Sequence, residues 1–310
     1  PDGDSIGSQI ALGNFLQNRG KKVVLANQDD IPSRYRFLDP QKRIKKSSQG
    51  FHPDLVLILE CSNLNRIGRL KDSIPKGSTV INIDHHPDNT LFGNINYVDT
   101  QASAIGEIIY DLLKSADYTF DVNTANALYT SILTDTGRFS FSNTTSRSLM
   151  ICSELVRWGT DPRFINDQLY FNHPEGCLRL LGNVLGSMEL LGNGKYCFLS
   201  ITHKLLKDFK VNPQDTEGFV DYTLFLEGAM VGAFFLEISW KVVRVSLRSN
   251  NLINVGAIAK YFGGGGHRNA SGFTLNQGLG DAKKKVNKEI LRAIDYDKRK
   301  KKTGPQLVKK

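Results

Sequence analysis

Two stretches decide the fold: Leu55-Val56-Leu57-Ile58-Leu59-Glu60-Cys61-Ser62 and Thr79-Val80-Ile81-Asn82-Ile83-Asp84-His85-His86. Each opens as an apolar run and ends in acidic or imidazole side chains. The unbroken run at 55–59 has the pattern of a strand buried on both faces. Residues 79–83 read as a second strand, and 23–26 as a short third one. Around them lie segments of helical spacing at 5–18, 102–114 and 123–133. In the first of these Ile6, Ile10, Leu12 and Phe15 roughly follow helical spacing, with Gly20 placed to end it. Strands alternating with helices predict an α/β fold with a parallel sheet.

Residues 145–190 look mostly helical and carry no chemical motif. Past Gly192-Asn193-Gly194 the pattern changes. Strands are expected at 196–201, 231–238 and 242–247, and helices near 202–209, 252–261 and 281–294. The simplest parse is a first domain over 1–150, a helical linker over 151–192, a smaller α/β domain over 193–296, and a basic tail over 297–310.

Composition narrows the class. The 310 residues are 40% hydrophobic and 23% charged, ordinary for a globular protein. No run of about 18 apolar residues is present, so no membrane span is expected. No signal peptide is visible, although the sequence opens on Pro1 rather than Met and a preceding segment is expected. Cys61, Cys152, Cys177 and Cys197 match no zinc or disulfide spacing. They are expected to be reduced structural thiols of a cytoplasmic protein. Seven of the net +9 charges lie in Lys298–Lys310, which has no acidic residue. The body is therefore close to neutral. The tail is expected to be a solvated, disordered end, with RNA phosphates as the alternative contact.

Four features carry chemistry. Pro1-Asp2-Gly3-Asp4-Ser5 leads into a helix. Glu60-Cys61-Ser62 and Asp84-His85-His86 each follow a strand. Thr134-Asp135-Thr136-Gly137-Arg138-Phe139 follows a helix. Ligands of open α/β sheets bind beyond the carboxyl ends of the strands, so Glu60 and the Asp84 triplet are expected at one rim. Singly these are weak signals: an Asp-x-Asp before a helix is more often a cap. Together they put several carboxylates at one spot, which needs cations. Carboxylates mixed with imidazoles and few thiolates suit Mn²⁺ or a similar ion. Two such ions about 3.5–4 Å apart can activate a water and clamp a phosphoryl oxygen. The run Gly263-Gly264-Gly265-Gly266-His267-Arg268-Asn269-Ala270-Ser271-Gly272 is expected to offer backbone N–H groups as an anion nest. His267, Arg268 and Asn269 add donors, and Arg248 can add a guanidinium fork.

In their order and wide spacing, the Asp2–Ser8 segment, the Asp84 triplet, the Asp135 segment and the glycine run resemble the DHH phosphoesterase superfamily. The similarity is to its bacterial oligoribonuclease and pAp-phosphatase branch, the nanoRNases, over about residues 1–296. It implies a catalytic metal-binding DHH domain over 1–150 and a substrate-binding domain over 193–296. It implies two Mn²⁺ ions between them, with Mg²⁺ or Co²⁺ as substitutes. Asp2 would bind one ion, and Asp4, His85 and Asp135 the other, with Glu60 bridging. His86 would face the scissile phosphate and Asp84 would orient the histidines. Arg248, Gly264, Gly265, Gly266, His267, Arg268 and Asn269 would hold the nucleotide. The implied substrates are short single-stranded RNAs and adenosine 3′,5′-bisphosphate. No membrane partner is expected, and a homodimer is admitted.

Two departures stand out. The family places a metal-binding His a few residues before the position of Pro1. It also normally has Asp where Glu60 stands. Glu keeps the charge, but its extra methylene moves the oxygens by more than ~1 Å unless the backbone retreats, a misplacement that can cost about 10²-fold in rate. Linear dinucleotides from cyclic-dinucleotide breakdown, polyphosphate or pyrophosphate are alternative substrates. Nucleotide binding without catalysis is the alternative outside enzymology.

Overall fold

Helix α1 (Gly3–Asn18) starts where the sequence supplies its cap: an Asp2 side-chain oxygen accepts the Ser5 N–H at 3.0 Å. In the computed structural model, which describes residues 1–47, 50–250 and 252–302, the chain divides into two units, Pro1–Asn172 and His173–Lys310.

The first unit holds a parallel pair, β1 (Leu25–Ala26) and β2 (Ile44–Lys45). It also holds a parallel three-stranded sheet of β3 (Leu55–Leu59), β4 (Thr79–Asp84) and β5 (Ile95–Val98), in that order. Helices α2 (Ile105–Ser115), α3 (Val122–Asp135), α4 (Ser146–Arg157) and α5 (Pro162–Asn166) follow. One core joins Ile6 and Ile10 of α1, Ile105 and Ile109 of α2, and Leu128 and Ile132 of α3. Leu57, Leu59, Ile81 and Ile83 meet this core from one face of the sheet.

The expectation of full burial for residues 55–59 is corrected. The strand forms, but of its five residues only Ile58 is buried, and Leu55 is 43% exposed. β3 is an end strand of its sheet, and the start of the apolar run lies open to solvent. β5 was not expected: it is short, and Ile95 and Tyr97 both face solvent.

The helices that carry candidate ligands approach closely because glycine lies at their contacts. A Cβ on Gly7 of α1 would collide with the Ala127 carbonyl oxygen of α3, and one on Gly106 of α2 with the Ser131 hydroxyl. At the start of α3, an Asp121 side-chain oxygen accepts the N–H groups of Asn123 and Thr124, both at 2.9 Å. Partial burial opposes its charge, but these donors and the Tyr118 hydroxyl outweigh it and hold the carboxyl below its ordinary range. Asp121→Ala is expected to cost about 1 kcal/mol, as for a lost N-cap, in urea unfolding at neutral pH. The depressed folded value means that this contribution is present above the unfolded carboxyl value of about 3.9. It is lost as pH falls through the lower folded value. The difference from the parent should therefore shrink in acid.

The second unit contains α6 (Glu175–Gly186), β6 (Glu189–Leu191), β7 (Tyr196–Ile201) and α7 (His203–Asp208). It continues with β8 (Val231–Ser239), β9 (Val242–Ser249), α8 (Val255–Tyr261), β10 (Gly265–Gly266), β11 (Ala270–Leu275) and α9 (Leu279–Lys302). Its six-stranded sheet has the order β10-β11-β9-β8-β7-β6. The pairs are antiparallel apart from β7 with β8. One sheet face packs on α8 and α9 through Phe235, Val245, Ile258 and Ile290, the other on α6 and α7 through Phe234, Leu180 and Leu206.

Helix α9 runs on to Lys302, so the first part of the expected tail is helical rather than disordered. Residues 295–302 lack Gly and Pro, and Lys and Arg are good helix formers. The remainder of the tail, 303–310, lies outside the described residues. All four cysteines are buried and free. Among the described residues no helix is long and apolar enough to cross a membrane.

Candidate metal centre

Strand register brings the first donors together. β3 and β4 are parallel, with Leu59 opposite Ile83. Glu60 and Asp84-His85-His86 therefore leave the sheet side by side. The Glu60 N–H donates to the Ile83 carbonyl at 3.2 Å. Glu60 itself has φ +55°, a left-handed conformation costing an L residue about 1 kcal/mol. After that turn its carboxylate lies against both histidines, Oε2 at 3.3 Å from His85 Nε2 and Oε1 at 3.5 Å from His86 Nε2.

Asp4 arrives from α1 and is buried. Its oxygens accept the N–H groups of Ile105 at 2.8 Å and Gly106 at 3.2 Å, and the Ser131 hydroxyl. The first two donors open α2, where helix N–H groups favour an anion. Asp135 is the last residue of α3. His85 Nε2 stands 3.8 Å from Asp4 Oδ2 and 3.7 Å from Asp135 Oδ2. One ligand atom from each of Asp4, His85 and Asp135 falls within 4.8 Å of the others. Asp2 stands outside that group as the cap of α1, close enough that its charge raises the Asp4 pKa.

Both histidines are oriented through Nδ1. His85 Nδ1 lies 3.0 Å from the Ala102 carbonyl, an obligate acceptor, so Nδ1 carries the proton and Nε2 faces the carboxylates. His86 Nδ1 lies 2.8 Å from Asp84 Oδ1. The other Asp84 oxygen accepts the Asn89 side-chain amide.

The electrostatics are those of too many carboxylates in one dry place. Burial raises the Asp4 pKa. Burial and the neighbouring Asp4 push Glu60 up to about 8. For His85, burial opposes charge, but Glu60, Asp135 and Asp4 outweigh it and push the imidazole up to about 11. For Asp84, burial opposes charge, yet the hydrogen bonds from His86 and Asn89 hold its carboxyl below the ordinary range. Glu60 Oε2 faces His85 Nε2 at 3.3 Å as an ion-pair neighbour. It is shielded from solvent, with its geometry to that imidazole poor for a hydrogen bond. A buried carboxylate so weakly satisfied is costly. Beside two imidazoles and two further carboxylates, it fits a divalent cation with oxygen and nitrogen ligands.

Several residues that build the centre have no signature in the sequence. Ser131 and the Ala102 carbonyl look like any others of their type. Asn82 is a polar residue inside an apolar strand, and this was the available signal. Its side-chain amide donates to the carbonyls of Ile58 and Cys61, both at 3.2 Å, and its oxygen accepts from Asn89.

The candidate substrate residues lie in the second unit. Arg248 sits in β9 opposite Ala270 of β11. Its Nε donates to Asp221 Oδ1 at 2.8 Å and Nη1 to the Leu247 carbonyl at 3.2 Å. It is thus a half-buried Arg paired with Asp221. In the glycine run, the amides of Gly263, Gly264 and His267 donate to the carbonyls of Lys260, Ala259 and Ala270. These three amides are therefore not available as nest donors. The run forms a close-packed hairpin. Gly265 and Gly266 pair with Gly272 and Ser271, and a Cβ on Gly264 would collide with the Gly272 carbonyl oxygen. The Arg268 carbonyl accepts from the Val255 N–H, and the Asn269 carbonyl from the Ser249 N–H.

Residues 1–132 match the DHH family, N-terminal domain, and residues 193–295 match the DHHA1 domain. Over 276 residues the chain is 33% identical to the bifunctional oligoribonuclease and PAP phosphatase NrnA of Thermus thermophilus, covering 89% of this chain and 81% of that protein. The chain belongs to the DHH family of phosphoesterases. The Bacillus subtilis protein of the same description is 29% identical over 279 residues, with 89% and 86% covered. Among solved structures, this DHH phosphoesterase superposes on an exopolyphosphatase-related protein from Bacteroides fragilis with a TM-score of 0.87. The two are 28% identical over 97% of this chain and 91% of that one. DHH phosphoesterases are metal-dependent enzymes, which agrees with the donor set found here.

Proposed function

We propose that this DHH phosphoesterase releases mononucleotides from short oligoribonucleotides and converts adenosine 3′,5′-bisphosphate to AMP, with two Mn²⁺ ions held in its first unit. The observation that carries this reading is the convergence of Asp4, Glu60, His85 and Asp135 around buried, mutually repelling oxygens. The NrnA relatives supply the substrate class. Asp4, His85 and Asp135 are assigned to one ion and Asp2 to the other, with Glu60 shared.

When bound, the ions supply positive charge that activates a water and offsets charge on the phosphoryl group. The protein's part is orientation. Asp84 fixes His86 through Nδ1, which presents Nε2 on the side of Glu60 as a donor for a phosphoryl oxygen. The Ala102 carbonyl fixes His85 in the same way. Arg248, His267, Arg268 and Asn269 are assigned to the nucleotide. The Asp221 pairing restrains the Arg248 fork before any phosphate meets it.

The test is release of mononucleotide from a diribonucleotide and of phosphate from adenosine 3′,5′-bisphosphate. Both are expected with Mn²⁺ and lost on chelation. Folded full chain that releases neither with Mn²⁺, Mg²⁺ or Co²⁺ would overturn the proposal.

A further inference from the structure

Asp135 ends α3, and the carbonyls of a helix's last turn have no partner within the helix. Here the amides of Arg138 and Gly137 serve Leu133 and Thr134, and those of Ser140 and Phe141 serve Thr136. The Asp135 carbonyl receives a side chain: Asn143 Nδ2 donates to it at 3.0 Å. The same nitrogen donates to the Ser103 carbonyl, also at 3.0 Å. Two carbonyl acceptors require an NH₂ group, so the network fixes which way the amide faces.

The Ser103 end of this bridge matters because of its neighbours. Ala102 provides the carbonyl that orients His85. Ile105 and Gly106 provide the N–H groups that hold Asp4. One amide therefore ties the helix end bearing Asp135 to the short segment that sets both His85 and Asp4. The chain between Asp135 and Asn143 is strained: Gly137, Arg138 and Phe139 all have positive φ, at 55°, 60° and 62°. Two consecutive L residues in that region cost about 1 kcal/mol or more each and persist where their surroundings hold them.

We infer that Asn143 is a positioning residue of the metal centre, clamping Asp135 to the segment that orients His85 and Asp4. The inference rests on the metal-binding role proposed above. Partners that orient metal ligands from behind typically contribute ~10–100-fold in metal affinity.

The test is calorimetric titration of Mn²⁺ into metal-stripped full chain, with thermal unfolding followed in chelator. Asn143→Asp is close in shape but sets an oxygen against two carbonyls, and Asn143→Ala removes the donors without that repulsion. Both are expected to weaken Mn²⁺ binding by about 10–100-fold. Asp121→Ala, which loosens the far end of α3, should lower the unfolding temperature and leave Mn²⁺ affinity unchanged. Asn143→Ala that binds Mn²⁺ as the parent does would overturn the inference, whatever its unfolding temperature. So would Asp121→Ala weakening Mn²⁺ as much as Asn143→Ala, since general loosening would then explain both. Asp135→Asn separates this from the metal assignment. If it too binds Mn²⁺ like the parent, the ligand role of Asp135 fails. If it alone loses affinity, only the role of Asn143 fails.

Discussion

Asp135→Ala is expected to lower turnover by more than the ~10²-fold that an outer partner of a metal ligand can account for, in steady-state hydrolysis of a diribonucleotide with Mn²⁺. Asp135 contributes a carboxylate oxygen 3.7 Å from His85 Nε2, in the group that also includes Asp4. Alanine removes that oxygen outright and leaves a gap where a cation needs negative charge. The fold should tolerate the change, because the Asp135 side chain is 17% exposed and its carbonyl, which Asn143 binds, remains. Parent-like turnover in this variant would remove Asp135 from the centre.

Asp84→Asn is expected to lower kcat by about 10²–10⁴-fold with little change in the apparent affinity for substrate. In the serine-protease triad, the same change to a carboxylate that orients an imidazole costs about 10⁴-fold by selecting the wrong tautomer. Here Asp84 is fully buried and acts as an acceptor on both sides, from His86 Nδ1 and from the Asn89 amide. An Asn side chain has one acceptor oxygen and one NH₂. Whichever way it faces, a donor meets a donor, and either His86 changes tautomer or Asn89 loses its anchor. Asn89 also bonds Asn82 and the Cys61 carbonyl next to Glu60, so the disturbance reaches the β3 rim. Circular dichroism would check folding; unchanged kcat in a folded variant would show that Asp84 does not govern His86.

The resemblance implies Asp where Glu60 stands, and a longer side chain has to place its oxygens from a different backbone path. Glu60 leaves β3 through a left-handed conformation, with its N–H tied to Ile83 and both oxygens beside the histidines. The left-handed backbone and the buried, poorly satisfied Oε2 lie in the same residue, and a cation there would offset the charge of that oxygen.

What the sequence determined by itself was local. Apolar runs ending in acids or histidines mark β3 and β4, and helical periodicity marks α1 to α3, because such patterns involve residues a few positions apart. The order of Asp2, Asp4, the Asp84 triplet, Asp135 and the glycine run was enough to indicate the family, and mixed carboxylates and imidazoles were enough to indicate a divalent ion. The tertiary structure decided which groups meet. Asp4 is held by residues more than a hundred positions away, through helices brought close by Gly7 and Gly106. Asn143 reaches both Asp135 and Ser103 after a turn in which three residues are left-handed. The glycine run looked like an anion nest, yet three of its amides bond within their own unit. Arg248 was expected as a guanidinium fork, and only the fold shows that Asp221 holds it. Hydrogen-bond partners across long sequence separations depend on packing and on the demand that buried polar groups be satisfied, and no local pattern of residues encodes that choice.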